Sequence, residues 1–138
     1  MRTTCALPPP SVEYMGWPPS AGELLPRAAE ACGVRRKLET YSLNPFHESG
    51  GPKARGFAQL LGITIESVDV LEVAIHRAIL QTRISSVRKN REGGFNCVVD
   101  FAMRGRGSRS EKFVLIRTVW ELTSSTSRPR LVTAFPSL

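Results

Sequence analysis

The hydrophobic period of this chain changes once, near Thr82, and that change constrains the fold more than any other feature. Before it, apolar residues recur three to four positions apart, the spacing that puts them on one side of a helix; after it they alternate, the spacing of a half-buried strand. Val68, Leu71, Ile75 and Ile79 predict a helix that starts at Ser67 as its cap and finishes near Gln81. Val70 stands where a full capping box would carry Glu or Gln. Upstream, Pro52 suits the first position of a helix running to Leu61, with Phe57, Leu60 and Leu61 as its apolar stripe and Gly62 as its stop. A short helix is also expected from Ala21 to Cys32, with Pro26 tolerated in its first turn and Gly33 ending it. Arg35-Arg36-Lys37 then reads as an exposed basic connector, and Tyr41 to Gly51 as a turn-rich segment.

Beyond Thr82, Arg83 to Arg88 reads as a first strand and Asn90 to Gly94 as a turn. Phe95, Cys97, Val99, Phe101 and Met103 then alternate along a second strand. Arg104 to Ser110 is a loop, and Phe113 to Leu122 a third strand with Val114, Ile116, Trp120 and Leu122 on one face. After a turn at Ser124 to Pro129, Leu131 to Phe135 makes a fourth. Short connections imply antiparallel neighbours, so the expected fold is α+β, with N-terminal helices packed on a four-stranded antiparallel sheet. A chain of 138 residues suits one domain. Residues 1–37 read as a proline-rich arm carrying the short helix, with Tyr14 and Trp17 free to pack back, and residues 38–138 as the domain proper.

Charge narrows the function. The chain carries +7, and residues 1–82 balance, so the whole surplus lies in residues 83–138. A one-sided basic excess points to a polyanion, with RNA or DNA the usual case, against the plain alternative of a solvated basic surface. Cys5, Cys32 and Cys97 are widely spaced and odd in number, so free reduced thiols are expected and no metal site is read from them. No apolar run approaches the length of a membrane helix, and residues 1–20 lack a charged start with an apolar stretch behind it. A cytoplasmic location, in the producing or a target cell, is therefore expected. No phosphate-binding loop, HExxH or GxSxG motif occurs, which disfavours nucleotide hydrolases, zinc proteases and serine esterases.

Three stretches carry a resemblance. Tyr41-Ser42-Leu43-Asn44-Pro45-Phe46-His47 is followed by Gly51-Pro52-Lys53-Ala54-Arg55-Gly56-Phe57 and Leu61-Gly62-Ile63. Arg117-Thr118-Val119-Trp120-Glu121-Leu122 and Pro129-Arg130-Leu131-Val132-Thr133-Ala134-Phe135-Pro136 complete the set. Together they resemble a bacterial domain-of-unknown-function family of polymorphic toxins, grouped with the barnase/EndoU/colicin/RelE-like ribonucleases. The resemblance spans roughly residues 38–138. It implies metal-independent cleavage of RNA, often tRNA, without a cofactor, and neutralisation by a cognate, acidic immunity or antitoxin protein.

Metal-free cleavage needs a base for the 2′-hydroxyl proton, an acid for the leaving 5′-oxygen, and cations or amides for charge on phosphorus. His47 is a candidate base or acid, with a plain alternative in which it hydrogen-bonds its own turn. Lys53, in the first turn of a helix, suits phosphate. Arg117 lies on the strand face opposite Trp120, and either reaches a sheet surface or sits in an ion pair. Thr133 alternates with Leu131 and Phe135, and can donate to phosphate if the sheet places it beside Arg117. Arg55, Arg104, Arg106, Arg109 and Lys112 are candidate backbone contacts for RNA. Trp120 and Thr118 read as core residues and His76 as structural. Two other readings stay open: a non-catalytic RNA-binding module, and a protein-interaction domain with a basic face.

Overall fold

The computed structural model describes residues 17–137. Cys5, Tyr14 and the first run of prolines lie outside the described residues. Among the described residues, three α-helices and three shorter 3₁₀ or π turns precede the sheet. A 3₁₀ turn, Ala28–Glu30, leads to α1, Val34–Lys37, which widens without a break into a π-helical turn, Leu38–Ser42. Helix α2 is Gly51–Leu61 and α3 is Val68–Ile79. Strands β1 (Ser86–Lys89), β2 (Phe95–Arg104), β3 (Phe113–Leu122) and β4 (Arg130–Ser137) form one antiparallel sheet in the order β1-β2-β3-β4. The α+β architecture therefore follows the period change near Thr82.

The helical stripe and the strand alternation meet in one core. Phe57, Leu61, Leu71, Ile75 and Ile79 from α2 and α3 are fully buried, as are Cys97, Val99, Ile116, Trp120, Leu122 and Leu131 from the sheet. Leu25, Val34 and Leu38 join the same cluster, so the chain contributes to this core on both sides of residue 37. Helix α2 ends as expected: Gly62 takes φ 67°, and the amides of Gly62 and Ile63 reach back to the carbonyls of Ala58 and Phe57. Trp17 packs edge-on against Phe95 at 5.5 Å between ring centres.

Several local expectations are corrected. No helix forms from Ala21 to Cys32 beyond the short 3₁₀ turn. Gly22 and Ile84 bond through the backbone at 2.8 Å, Ile84 also donates to Glu23 at 2.8 Å, and Leu24 bridges to Arg83. Tertiary pairing thus outcompetes a weak helix already interrupted by Pro26. Arg27 then turns left-handed at φ 56°, its guanidinium held by both oxygens of Glu30 at 2.6 and 2.7 Å. Gly33 begins α1 instead of ending a helix, and Arg35-Arg36-Lys37 is helical, not a connector. Arg35 clamps α1 to α3 through Asp69 and, at 2.9 Å, Glu72; these carboxylates raise its pKa, Asp69 most. Ser67 precedes α3 but makes no side-chain cap, because a 3₁₀ turn at Ile65–Ser67 already winds the chain into the helix. The first strand begins at Ser86, later than expected, since residues 83 and 84 pair with the segment around Glu23.

The expectation of three free thiols is corrected as well, because Cys32 is disulfide-bonded. Cys97 is free and buried in the core, and burial pushes its thiol up to about 12. Cys97 is therefore expected to resist a thiol reagent at neutral pH in the native protein and to react once urea unfolds the chain. Rapid labelling of Cys97 in the native state, followed by peptide mapping, would contradict this packing.

Candidate nucleic-acid interface

Alternation assigns each strand residue to a face. Cys97, Val99, Ile116, Thr118 and Trp120 point at the helices. Asn96, Val98, Asp100, Ala102 and Arg104 share the other face with Glu121, Val119, Arg117, Leu115 and Phe113, their cross-strand partners. Phe113 and Leu115 are exposed there. This outer face is where the predicted strand residues gather.

Strand β4 reaches it through a bulge. Val119 pairs with Thr133, but Trp120 pairs with Leu131, so Val132 is an extra residue. The bulge reverses the parity of the strand. Leu131 consequently lies in the core while Thr133 and Phe135 turn outward, which corrects the expectation that all three alternate together. Phe135 is the direct partner of Arg117, and Thr133 lies one outer-face position further along.

Helix α2 supplies the next group from beyond the β4 edge. The Lys53 ammonium donates to Tyr41 Oη at 2.6 Å and to Thr133 Oγ1 at 2.9 Å. It also stands 4.4 Å from the Tyr41 ring centre and 5.2 Å from that of Phe135. Lys37 adds a second ammonium at 5.6 Å from the same tyrosine ring. Burial, then Arg130, and more weakly Lys53 and Arg36, hold the Lys37 pKa below the ordinary lysine range, against a smaller raising effect of Tyr41. Among the described residues, neither Lys37 nor Lys53 has a carboxylate at ion-pair distance. The cluster thus holds positive charge together without neutralising it.

Lys37 binds fewer protons in the folded state than in the unfolded chain, so stability rises with pH through the window below 10.5. The charge penalty is fully present below that window and vanishes above it. Lys37→Met is therefore expected to raise the urea midpoint at pH 7, with the gain shrinking towards pH 10.5. An equal gain at both pH values would assign the effect to apolar packing alone.

The remaining candidates separate. Arg117 reaches the sheet surface and is also ion-paired: it grips Asp100 at both ends, Nε to Oδ1 at 3.0 Å and Nη2 to Oδ2 at 2.9 Å. The hydrogen bonds to Asp100 raise the Arg117 pKa, while its side chain stays 41% exposed. His47 Nδ1 accepts the backbone amides of Ser49 and Gly50 at 3.1 and 3.0 Å, with the ring edge-on to Tyr41 at 4.8 Å. That pattern assigns the ring hydrogen of a neutral His47 to Nε2, so the atom left over is a donor. Arg55 is exposed on α2. Arg109 ties the loop between β2 and β3 to α2 through the Gln59 carbonyl at 2.7 Å. Arg104, Arg106 and Lys112 are exposed at that end of the sheet. His76 is half-buried on α3.

Sequence reasoning missed Tyr41, Lys37, Asp100, Glu121 and Arg130. Glu121 is 5% exposed although it faces outward, because Arg130 and the Asn90 amide bond its two oxygens at 2.8 and 3.0 Å. Tyr41 stood inside a quoted motif, and Asp100 opposite Arg117 follows from strand register alone. Lys37 stands one helical turn before Tyr41, but Arg130 and Lys53 reach it from β4 and α2.

The class these observations define is a small α+β domain with helices on one sheet face and cations on the other. Residues 24–138 match the model of a family described as a domain of unknown function, DUF6883, and the chain belongs to that family. No curated protein matches the chain, and no solved structure does.

Proposed function

We propose that this protein is a metal-independent endoribonuclease whose site is the outer sheet face around Tyr41, Lys53, Thr133 and Arg117. The observation that carries the reading is the Lys53 ammonium, anchored by two hydroxyls and free of any described carboxylate. An ammonium has three donors, so one remains for a phosphate oxygen. Arg117 is the cross-strand partner of Phe135, whose ring also lies beside Lys53 and suits a base or ribose. The basic excess of residues 83–138 and the resemblance to ribonuclease toxins support the same substrate.

In the proposed reaction the 2′-oxygen bonds to phosphorus, the bond from phosphorus to the 5′-oxygen breaks, and a 2′,3′-cyclic phosphate is left. The 2′-hydroxyl gives up one proton and the leaving oxygen gains one. Tyr41 Oη, hydrogen-bonded to the Lys53 ammonium at 2.6 Å, is the group placed to pass a proton. Lys53 and Arg117 offset charge on the phosphorane. A toxin of this kind would act in a cytoplasm and meet an acidic immunity protein. The disulfide at Cys32 fits passage through an oxidising compartment on the way.

One observation favours binding without cleavage. His47 Nδ1 is used by its own turn and Asp100 already occupies Arg117, which leaves fewer free groups for proton transfer. Incubation with total cellular RNA in excess EDTA separates the readings. Discrete fragments ending in cyclic phosphate, lost in Tyr41→Phe, support the nuclease. Salt-sensitive binding with intact RNA supports the binding module. Cleavage that survives both Tyr41→Phe and Lys53→Met overturns the site assignment.

A further inference from the structure

The sheet has a second feature that RNA cleavage does not use. Strand β1 pairs with β2 from Lys89↔Phe95 to Ser86↔Val98 and then leaves it. Ser85 donates to the Val98 carbonyl at 2.8 Å, after which Ile84 and Arg83 pair with residues 22–24 instead. Backbone groups in an antiparallel strand point alternately to either side. Val98 faces the β1 side, so the amides and carbonyls of Asp100, Ala102 and Arg104 face that side too, where β1 no longer runs. None of them has a backbone partner there among the described residues.

Such an edge is a template for another strand, and proteins ordinarily blunt it with bulges, prolines or inward charges. Here β2 carries no proline, and its register to β3 is unbroken from Phe95↔Leu122 to Arg104↔Phe113. Between this edge and α3 lies a groove of about 580 Å³, walled by Ala74, Arg77, Ala78 and Gln81 on the helix side. Arg77 and Arg104 both line it, and neither has an ion-pair partner among the described residues. Arg104 lies over the Phe113 ring at 5.0 Å, beside the exposed Leu115.

We infer that the free β2 edge is the docking site for an extended acidic segment of a partner protein, which adds to the sheet as a strand next to Asp100–Arg104. Main-chain bonds to Asp100, Ala102 and Arg104 supply the attachment, and alternate side chains supply selectivity. Those pointing at α3 meet Ala74, Ala78 and Arg77, which suits small apolar residues and one carboxylate; those on the other face meet Arg104. The chain's +7 disfavours a second copy of itself as the occupant.

The test uses the full chain, ¹⁵N-labelled, with an acetylated ten-residue peptide alternating valine and glutamate. In the free protein the amides of Asp100, Ala102 and Arg104 exchange rapidly with solvent; the peptide shifts and protects them. Ala102→Pro removes one edge donor without touching the β3 ladder, and it is expected to weaken binding about tenfold or more, as is Arg77→Glu. Peptide binding unchanged in both variants, or no shift at these amides, overturns the inference. Protection of these amides before peptide is added means that the chain covers its own edge, and a dimeric mass by sedimentation means that a second copy does. Displacement of the peptide by an RNA oligonucleotide from these same amides would assign the groove to nucleic acid. Each of these three results also overturns the partner reading. Failure here leaves the nuclease proposal intact, because Ala102 and Arg77 lie outside its site.

Discussion

Lys53→Met is expected to lower the rate of RNA cleavage at saturating substrate by about 10²–10³-fold, the usual loss when one preorganised donor to a developing oxyanion is removed. The side chain bridges two elements: it leaves α2, passes the Tyr41 and Phe135 rings and ends between Tyr41 Oη and Thr133 Oγ1. Methionine keeps most of the aliphatic stem and loses the charge, so the fold is retained while the phosphate contact is not. Lys53→Arg should recover only part of the rate, since a planar guanidinium does not reproduce the geometry of an ammonium between two hydroxyls. Single-turnover cleavage of a labelled RNA, together with its binding isotherm, measures both effects. If affinity falls while the saturated rate is unchanged, Lys53 only holds the RNA and the catalytic role assigned to it is wrong.

The second large effect concerns stability. Trp120→Ala is expected to cost about 3–5 kcal/mol, read as a lowered urea midpoint by circular dichroism. The indole is fully buried between Cys97 and Leu131, its neighbours on the adjoining strands. Its Nε1 donates to Thr118 Oγ1 at 2.8 Å, and that hydroxyl donates on to the Val99 carbonyl at 2.7 Å. One buried hydroxyl thus joins the indole on its own strand to a carbonyl of β2. Thr118→Val keeps the shape and leaves the buried indole N–H without its acceptor, at an expected cost of about 1–3 kcal/mol. A cost below about 0.5 kcal/mol, the range of surface substitutions, would show that this chain of bonds does not form.

Residues that repeat a pattern were legible from the chain alone. The stripe Val68, Leu71, Ile75 and Ile79 and the alternation from Phe95 to Met103 each report local geometry many times over, so helix, strand and buried face follow without tertiary information. Gly62 and Pro52 marked the ends of α2 because each acts on the backbone beside it. The segment from Ala21 to Cys32 was misread for the opposite reason: its weak helical preference is overridden by pairing with residues far along the chain, at Ile84 and Arg130.

The candidate site divides in the same way. Its residue types, a lysine at a helix start, an arginine and a threonine on strands, are visible in one dimension, and so is the basic excess beyond residue 82. What brings Lys53 to Thr133 and Tyr41 is tertiary: the bulge at Val132, which turns Thr133 outward, and the placement of α2 beside the β4 edge. The sequence by itself determined the layers, because periodicity is set by each residue's own neighbours. The structure alone decided which charges are paired among the described residues, because Arg35, Arg117 and Arg130 find carboxylates on other elements while Lys37 and Lys53 find, among those residues, hydroxyls, rings and other cations.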